Sequence, residues 1–139
     1  MRSKRFELVT STSNPGAADL QDLTVHGPQS TVHLYEYVAQ LAQTWNTKNN
    51  IGLVVGATQL EALARIRAAA PGLWFLAPGV GAQGADLETA LKAGLRKDGL
   101  GMLIPVSRGI SRAADPAKAA AELRDQILSI RYAISKKGK

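Results

Sequence analysis

Two apolar runs, each closed by a glycine-containing turn, constrain this chain more than any other feature. The first reads Leu76-Ala-Pro-Gly-Val-Gly-Ala-Gln-Gly84 and the second Leu103-Ile-Pro-Val-Ser-Arg-Gly-Ile110. Apolar runs of this kind suit strands of a parallel sheet covered on both faces. If the two lie side by side, both turns open at the same edge of the sheet, and their backbone N–H groups can converge on one anion. Arg108 and Gln83 then close a phosphate site, because a guanidinium at the C-terminal end of a strand is permanently charged and can grip phosphate through two hydrogen bonds. The plainer alternative is a pair of tight turns that need only glycine backbone, with Arg108 an ordinary surface arginine.

The remaining elements fit around these runs. Phe6–Thr10 reads as a strand, followed by the polar turn cluster Ser11-Thr-Ser-Asn-Pro-Gly16. Ala17–Leu23 holds one or two helical turns, and His26-Gly-Pro28 breaks them. The spacing of Leu34, Val38, Leu41 and Trp45, with Tyr37 beside them, predicts an amphipathic helix from Thr31 to about Asn46. Ile51–Val55 is the next strand; Thr58 and Glu61 match a capping box for a helix reaching Ala70, where Pro71-Gly72 stops it. Leu73–Ala77 is a strand, Asp86 caps a helix that ends near Lys97-Asp-Gly99, and Met102–Val106 is the last strand, within which Pro105 removes one backbone donor. Asp115 caps a long terminal helix with Pro116 at its first position, and Leu123, Ile127 and Ile130 form its apolar face.

The order is four βα units, which calls for parallel strands and right-handed crossovers. A complete (β/α)8 barrel needs about 250 residues, so a chain of 139 residues can hold half of one. The fold class expected is α/β, a (β/α)4 half-barrel or a small open sheet, as a single domain over residues 1–139 with basic tails at 1–5 and 134–139.

Composition removes several classes of function. The formal charge is +6, but Arg2, Lys4, Arg5, Lys136, Lys137 and Lys139 supply six of the seventeen basic residues, which leaves the body near neutral. With aromatics at 5% there is no basic, aromatic surface for stacking bases, so nucleic acid is not an expected partner. The absence of cysteine excludes disulfides, thiolate metal sites and a thiol nucleophile, and fits a cytoplasmic protein. No apolar run suggests a signal sequence or a membrane span. His26 and His33 have no carboxylate partner at metal-ligand spacing and read as a loop residue and a helix-surface residue; no serine, histidine and aspartate trio is suggested, and no lysine falls on a predicted strand.

Gly79-Val-Gly-Ala-Gln-Gly84 also satisfies G-x-G-x-x-G between a strand and a helix, so an NADP-binding unit is a rival. The acidic ribose partner is missing, and Ser107-Arg108 could receive a 2′-phosphate instead. Pro78 and the two βα units before the motif count against this reading.

Four ordered motifs carry a resemblance. Thr12-Ser-Asn-Pro-Gly16 with Leu20-Gln21, Val54-Val-Gly-Ala-Thr58, Ala77-Pro-Gly-Val-Gly-Ala-Gln-Gly84 and Val106-Ser-Arg-Gly-Ile110 are similar to the last four strand-loop motifs of orotidine-5′-phosphate decarboxylase. The likeness is to the branch found in mycobacteria and in some fused pyrimidine-synthesis enzymes, and it runs from about Phe6 to Ile130. It implies strands five to eight of a TIM barrel. It implies that Gln83 and Arg108 bind the 5′-phosphate of orotidine 5′-monophosphate or UMP, with backbone N–H groups around Gly84 and Gly109. It implies further that Ser13 hydrogen-bonds the pyrimidine, that Pro78 and Val80 line its pocket, and that the Gly79–Gly84 loop is a lid. The family uses no cofactor or metal: a lysine in an Asp-x-Lys-x-x-Asp motif on the third strand protonates the carbanion left at C6. That motif is absent here, so no catalytic residue is expected in this chain. The expected partner is a missing N-terminal half, or a second copy through the open sheet edges. The alternative function is a non-catalytic nucleotide-phosphate-binding or purely structural half-barrel.

Overall fold

The computed structural model describes residues 24–26, 31–80 and 85–137. An antiparallel pair, β1 (Thr24–His26) and β2 (Thr31–His33), leads into helix α1 (Leu34–Trp45). Three βα units follow: β3 (Gly52–Val54) with α2 (Leu60–Ala69), β4 (Trp74–Leu76) with α3 (Leu87–Gly94), and β5 (Met102–Leu103) with the short α4 (Arg108–Ser111) and the long α5 (Pro116–Lys137). The predicted strand Phe6–Thr10 and its loop lie outside the described residues.

The three apolar runs pair as a parallel sheet in consecutive order, β3-β4-β5. Leu53 is aligned with Phe75 and Val54 with Leu76; Phe75 is aligned with Met102 and Leu76 with Leu103. Alternation then decides the faces. Leu53, Val55, Leu73 and Phe75 are buried with Ala39 and Ala42 of α1 and with Leu63 and Ile66 of α2. A second cluster, Ala57, Ala77, Val80 and Ala90, fills the space between the sheet and α3. The other face carries the row Val54, Leu76 and Leu103, with Leu76 39% and Leu103 55% exposed. Among the described residues, helices cover one side of this sheet and none covers the other, as in a wall segment of a barrel. Among the described residues no helix is long and apolar enough to cross a membrane.

Local chemistry decided several boundaries differently from the expectations above. Thr31–His33 is a strand rather than the first helical turn, because two Thr-Val-His triplets pair with each other and β-branched residues favour sheet. Helix α1 starts at Leu34, three residues later than expected, where the Glu36 carboxylate accepts the His33 N–H at 2.9 Å. His33 is therefore a half-buried residue at a strand–helix junction, its ring stacked on Tyr35, and His26 lies in β1 rather than in a loop.

The Thr58 capping box does not form. Gln59 occupies the N-cap of α2 without a side-chain bond, and Glu61 instead accepts from Arg65 one turn on at 2.8 Å. Asp86 does cap α3, accepting the Thr89 N–H at 2.8 Å, and Asp115 caps α5 through Lys118 N–H at 3.0 Å. Helix α3 stops at Gly94 because Leu95 is extended. Strand β5 ends at Leu103, so Pro105 lies beyond it and removes no strand hydrogen bond. Leu123, Ile127 and Ile130 are half-buried along α5, which continues to Lys137, so part of the expected basic tail from residue 134 is helical.

Candidate functional site

Past the last paired residues, the strands stay in step. Val55 N–H donates to Leu76 O and Ala57 N–H to Pro78 O, each at 2.9 Å, and Ala77 N–H donates to Leu103 O at 2.9 Å. The segments after β3, β4 and β5 therefore emerge at one edge, as the two-turn reading requires. Gly79 has φ 110, a conformation that favours glycine, and this turns the chain directly after Pro78. Its carbonyl accepts Ala85 N–H at 3.3 Å, and Val80 bridges Ala85, so residues 79–80 and 85 are tied together.

Pro78 is half-buried beside Ala57, and Val80 is buried at 7% exposure in the cluster with Ala57, Ala77 and Ala90. After β5, Ser107 precedes the single turn α4, whose carbonyl at Ser107 accepts Ile110 and Ser111 N–H at 3.1 and 2.8 Å. Gly109 packs closely under Val106: a Cβ there would stand 3.2 Å from Val106 Cγ1. The Arg108 guanidinium is exposed and makes no hydrogen bond or ion pair among the described residues. The N–H groups of Arg108 and Gly109 likewise meet no acceptor there. Ser13, Gln83 and Gly84 lie outside the described residues.

The opposite edge handles its arginines differently. Arg67 is the one buried charged residue among those described, and it donates to four carbonyls: Gly94 O at 2.7 Å, Ala70 O at 3.1 Å, Leu73 O at 2.8 Å and Gly101 O at 3.0 Å. Burial, and then the nearby Arg96 charge, lower its pKa to about 10, which still leaves it charged at neutral pH. Arg96 reaches Gly72 O and the Asp98 carboxylate, and Arg131 of α5 reaches Gly99 O at 2.6 Å. A cavity of about 770 Å³ opens here beside Pro71 and Leu95, but the two arginines lining it are already bonded to backbone and to Asp98. Sequence reasoning passed over Arg67, although its position four residues after Leu63 and three before Ala70 puts it on the buried stripe of α2.

The dinucleotide rival loses its structural setting. Ligands of open dinucleotide folds sit where the strand order reverses, and the described strands run consecutively. The helix N-terminus that would take the pyrophosphate is occupied by the Asp86 carboxylate, whose pKa is lowered by the bond from Thr89 N–H.

Comparison with known proteins agrees with this geometry. The family model described as Orotidine 5'-phosphate decarboxylase / HUMPS family matches residues 3–123. An orotidine 5'-phosphate decarboxylase of Methylibium petroleiphilum is 45% identical over 133 residues, which cover 92% of this chain and 48% of the relative. The solved OMP decarboxylase of Leishmania donovani is 55% identical, with a TM-score of 0.75, and the match covers 87% of this chain and 45% of that one. The UMP synthase of the same organism is 58% identical with a TM-score of 0.77, over 86% of this chain and 26% of that one. The chain spans about half the length of the curated relatives it matches.

Proposed function

Since the chain belongs to the orotidine 5'-phosphate decarboxylase / HUMPS family, we propose that it is the phosphate- and pyrimidine-holding half of an enzyme that converts orotidine 5′-monophosphate to UMP and CO2. The observation that carries this reading is Arg108: among the described residues, a guanidinium without a partner beside two N–H groups without an acceptor, at the sheet edge where the Pro78–Val80 turn also emerges. A phosphate there would accept from all three. Gln83 and Gly84 would approach it from the other turn, while Ser13, Pro78 and Val80 hold the base.

The reaction breaks the bond between C6 and the carboxylate, leaves the electron pair on C6 and adds a proton to it. Phosphate binding far from that carbon can drive ordering, but it accelerates the step only if a group at C6 is there to be positioned. With no Asp-x-Lys-x-x-Asp run in the sequence, the proton donor would come from a second half. The bare row of Val54, Leu76 and Leu103 is the surface that half would cover, since parallel sheets are buried on both faces. A second copy of this chain is the other occupant.

Two measurements test the reading. The chain incubated alone with orotidine 5′-monophosphate should leave the orotate absorbance unchanged, and adding the N-terminal half of a relative should start its loss. Turnover by the chain alone would refute the need for a second half. UMP titration should show Arg108→Ala binding about 10- to 100-fold more weakly, the loss expected for a charged hydrogen-bonding pair; equal affinity would remove Arg108 from the site.

A further inference from the structure

The pairing that brings the two turns together is short. Strand β5 has two residues, and its ladder to β4 rests on two aligned pairs with flanking bonds from Phe75 N–H to Gly101 O and from Ala77 N–H to Leu103 O, both 2.9 Å. A slip of one residue would exchange Met102, half-buried against the helices, for Leu103, which faces the bare side, and would move Arg108 along the edge by the same step. Apolar contact resists such a slip weakly, because Leu103 and Pro105 on one side and Met102 and Ile104 on the other are all apolar.

Arg67 is placed to prevent it. Its Nη1 donates to Leu73 O, directly before β4, and its Nη2 donates to Gly101 O, directly before β5. Gly101 O thus takes one bond from the β4 backbone and one from Arg67. The planar guanidinium fixes the directions of these bonds. It is itself held over the Phe75 ring at 3.6 Å, and by Gly94 O and Ala70 O at the C-terminal ends of α3 and α2. The entries to both strands are therefore referred to one rigid group, a strand's length away from the turns.

We infer that Arg67 is a positioning residue for the phosphate site: it sets the register of β5 against β4 and so the placement of Arg108 and Gly109 relative to the Pro78–Val80 turn. This rests on the phosphate-binding reading above. Four carbonyls take bonds from this one side chain, and all four lie on segments that lead into or out of the two site-bearing units.

The experiment uses the 139-residue chain with UMP as the probe, at a temperature where near-UV circular dichroism shows each variant folded. Arg67→Met should weaken UMP binding about tenfold, the equivalent of one displaced hydrogen bond to a charged group. Arg67→Lys, which keeps the charge and can reach some of the carbonyls, should fall between it and the wild type. Amide hydrogen exchange supplies the readout that lost stability alone would not give. Ala77 N–H, which bridges β4 to β5, should exchange faster in Arg67→Met relative to Ala57 N–H, which bridges the β3 and β4 segments.

Wild-type UMP affinity in folded Arg67→Met, or equal acceleration at both amides, would overturn the inference. Failure of both variants to fold would assign Arg67 to global stability and overturn it as well. If Arg108→Ala binds UMP like the wild type, the phosphate reading itself has failed, whatever the exchange ratio at Ala77.

Discussion

The two ends of the sheet treat the same side chain in opposite ways. At the end where strands begin, Arg67, Arg96 and Arg131 are bonded to backbone carbonyls of Ala70, Gly72, Leu73, Gly94, Gly99 and Gly101. At the end where strands finish, Arg108 is exposed with no partner among the described residues. A guanidinium has five donors and no acceptor, so it completes whatever carbonyls or anions surround it. Where helix C-termini and strand entries crowd together, their carbonyls are those acceptors, and a positive charge also suits the negative ends of the helices. Where the strands finish, the Arg108 and Gly109 N–H groups meet no acceptor among the described residues, and a cation beside such donors is the arrangement the proposed phosphate would complete. One end is chemically closed; at the other, no described residue partners the guanidinium.

This contrast can be broken at several points. The largest effect is expected from Arg67→Met, which leaves several buried carbonyls without their donor and should lower unfolding free energy by on the order of 3 kcal/mol in urea denaturation. A loss within experimental error would mean that the closed end is not held by its arginine. Next, Arg108→Ala should leave the urea midpoint where it is while costing about 1.5–3 kcal/mol in UMP binding. Loss of stability without loss of affinity would make the two ends alike.

Gly101→Ala should be destabilising by about 1–3 kcal/mol, because the residue sits at φ 90 and a Cβ there would stand 2.6 Å from Arg96 Cγ. An unchanged thermal midpoint would show that the turn before β5 can relax. The smallest effect concerns acid. Arg96 holds the Asp98 carboxylate below its usual pKa of 3.8, chiefly by hydrogen bonding. A carboxylate lowered in the folded state contributes stability above that ordinary value and loses it as pH falls through the lowered one. The Asp98 side chain is about half exposed, so solvent screens the pair. Asp98→Asn should therefore cost a few tenths of a kcal/mol at neutral pH and nothing once pH is well below 3.8.

Much of the fold was legible because its signals are local. Asp86 and Asp115-Pro116 announced helix starts through bonds that span three residues, and the apolar runs at Ile51, Leu73 and Met102 announced the parallel strands. The family was legible from four ordered motifs, and the position of Arg108 just past the last strand from the apolar run before it. The failures were cases of competition. Thr58 and Glu61 have the spacing of a capping box, but Arg65 one turn away offered Glu61 an ionic partner instead. Thr31–His33 has helical neighbours, but a matching Thr-Val-His triplet seven residues earlier offered it a strand partner. Nothing within a few residues of either segment indicates which partner wins.

By itself, the sequence determined the βα units from Ile51 onward, their order, the edge at which the segments after the strands emerge and the absence of an Asp-x-Lys-x-x-Asp run. Tertiary structure alone decided which arginine is engaged and which has no partner among the described residues. Arg67 and Arg108 are identical in charge and donor count. What separates them is the set of carbonyls within reach, and Gly94 and Gly101 lie 27 and 34 residues from Arg67 along the chain. Only folding brings such acceptors to one guanidinium and leaves the other facing open solvent.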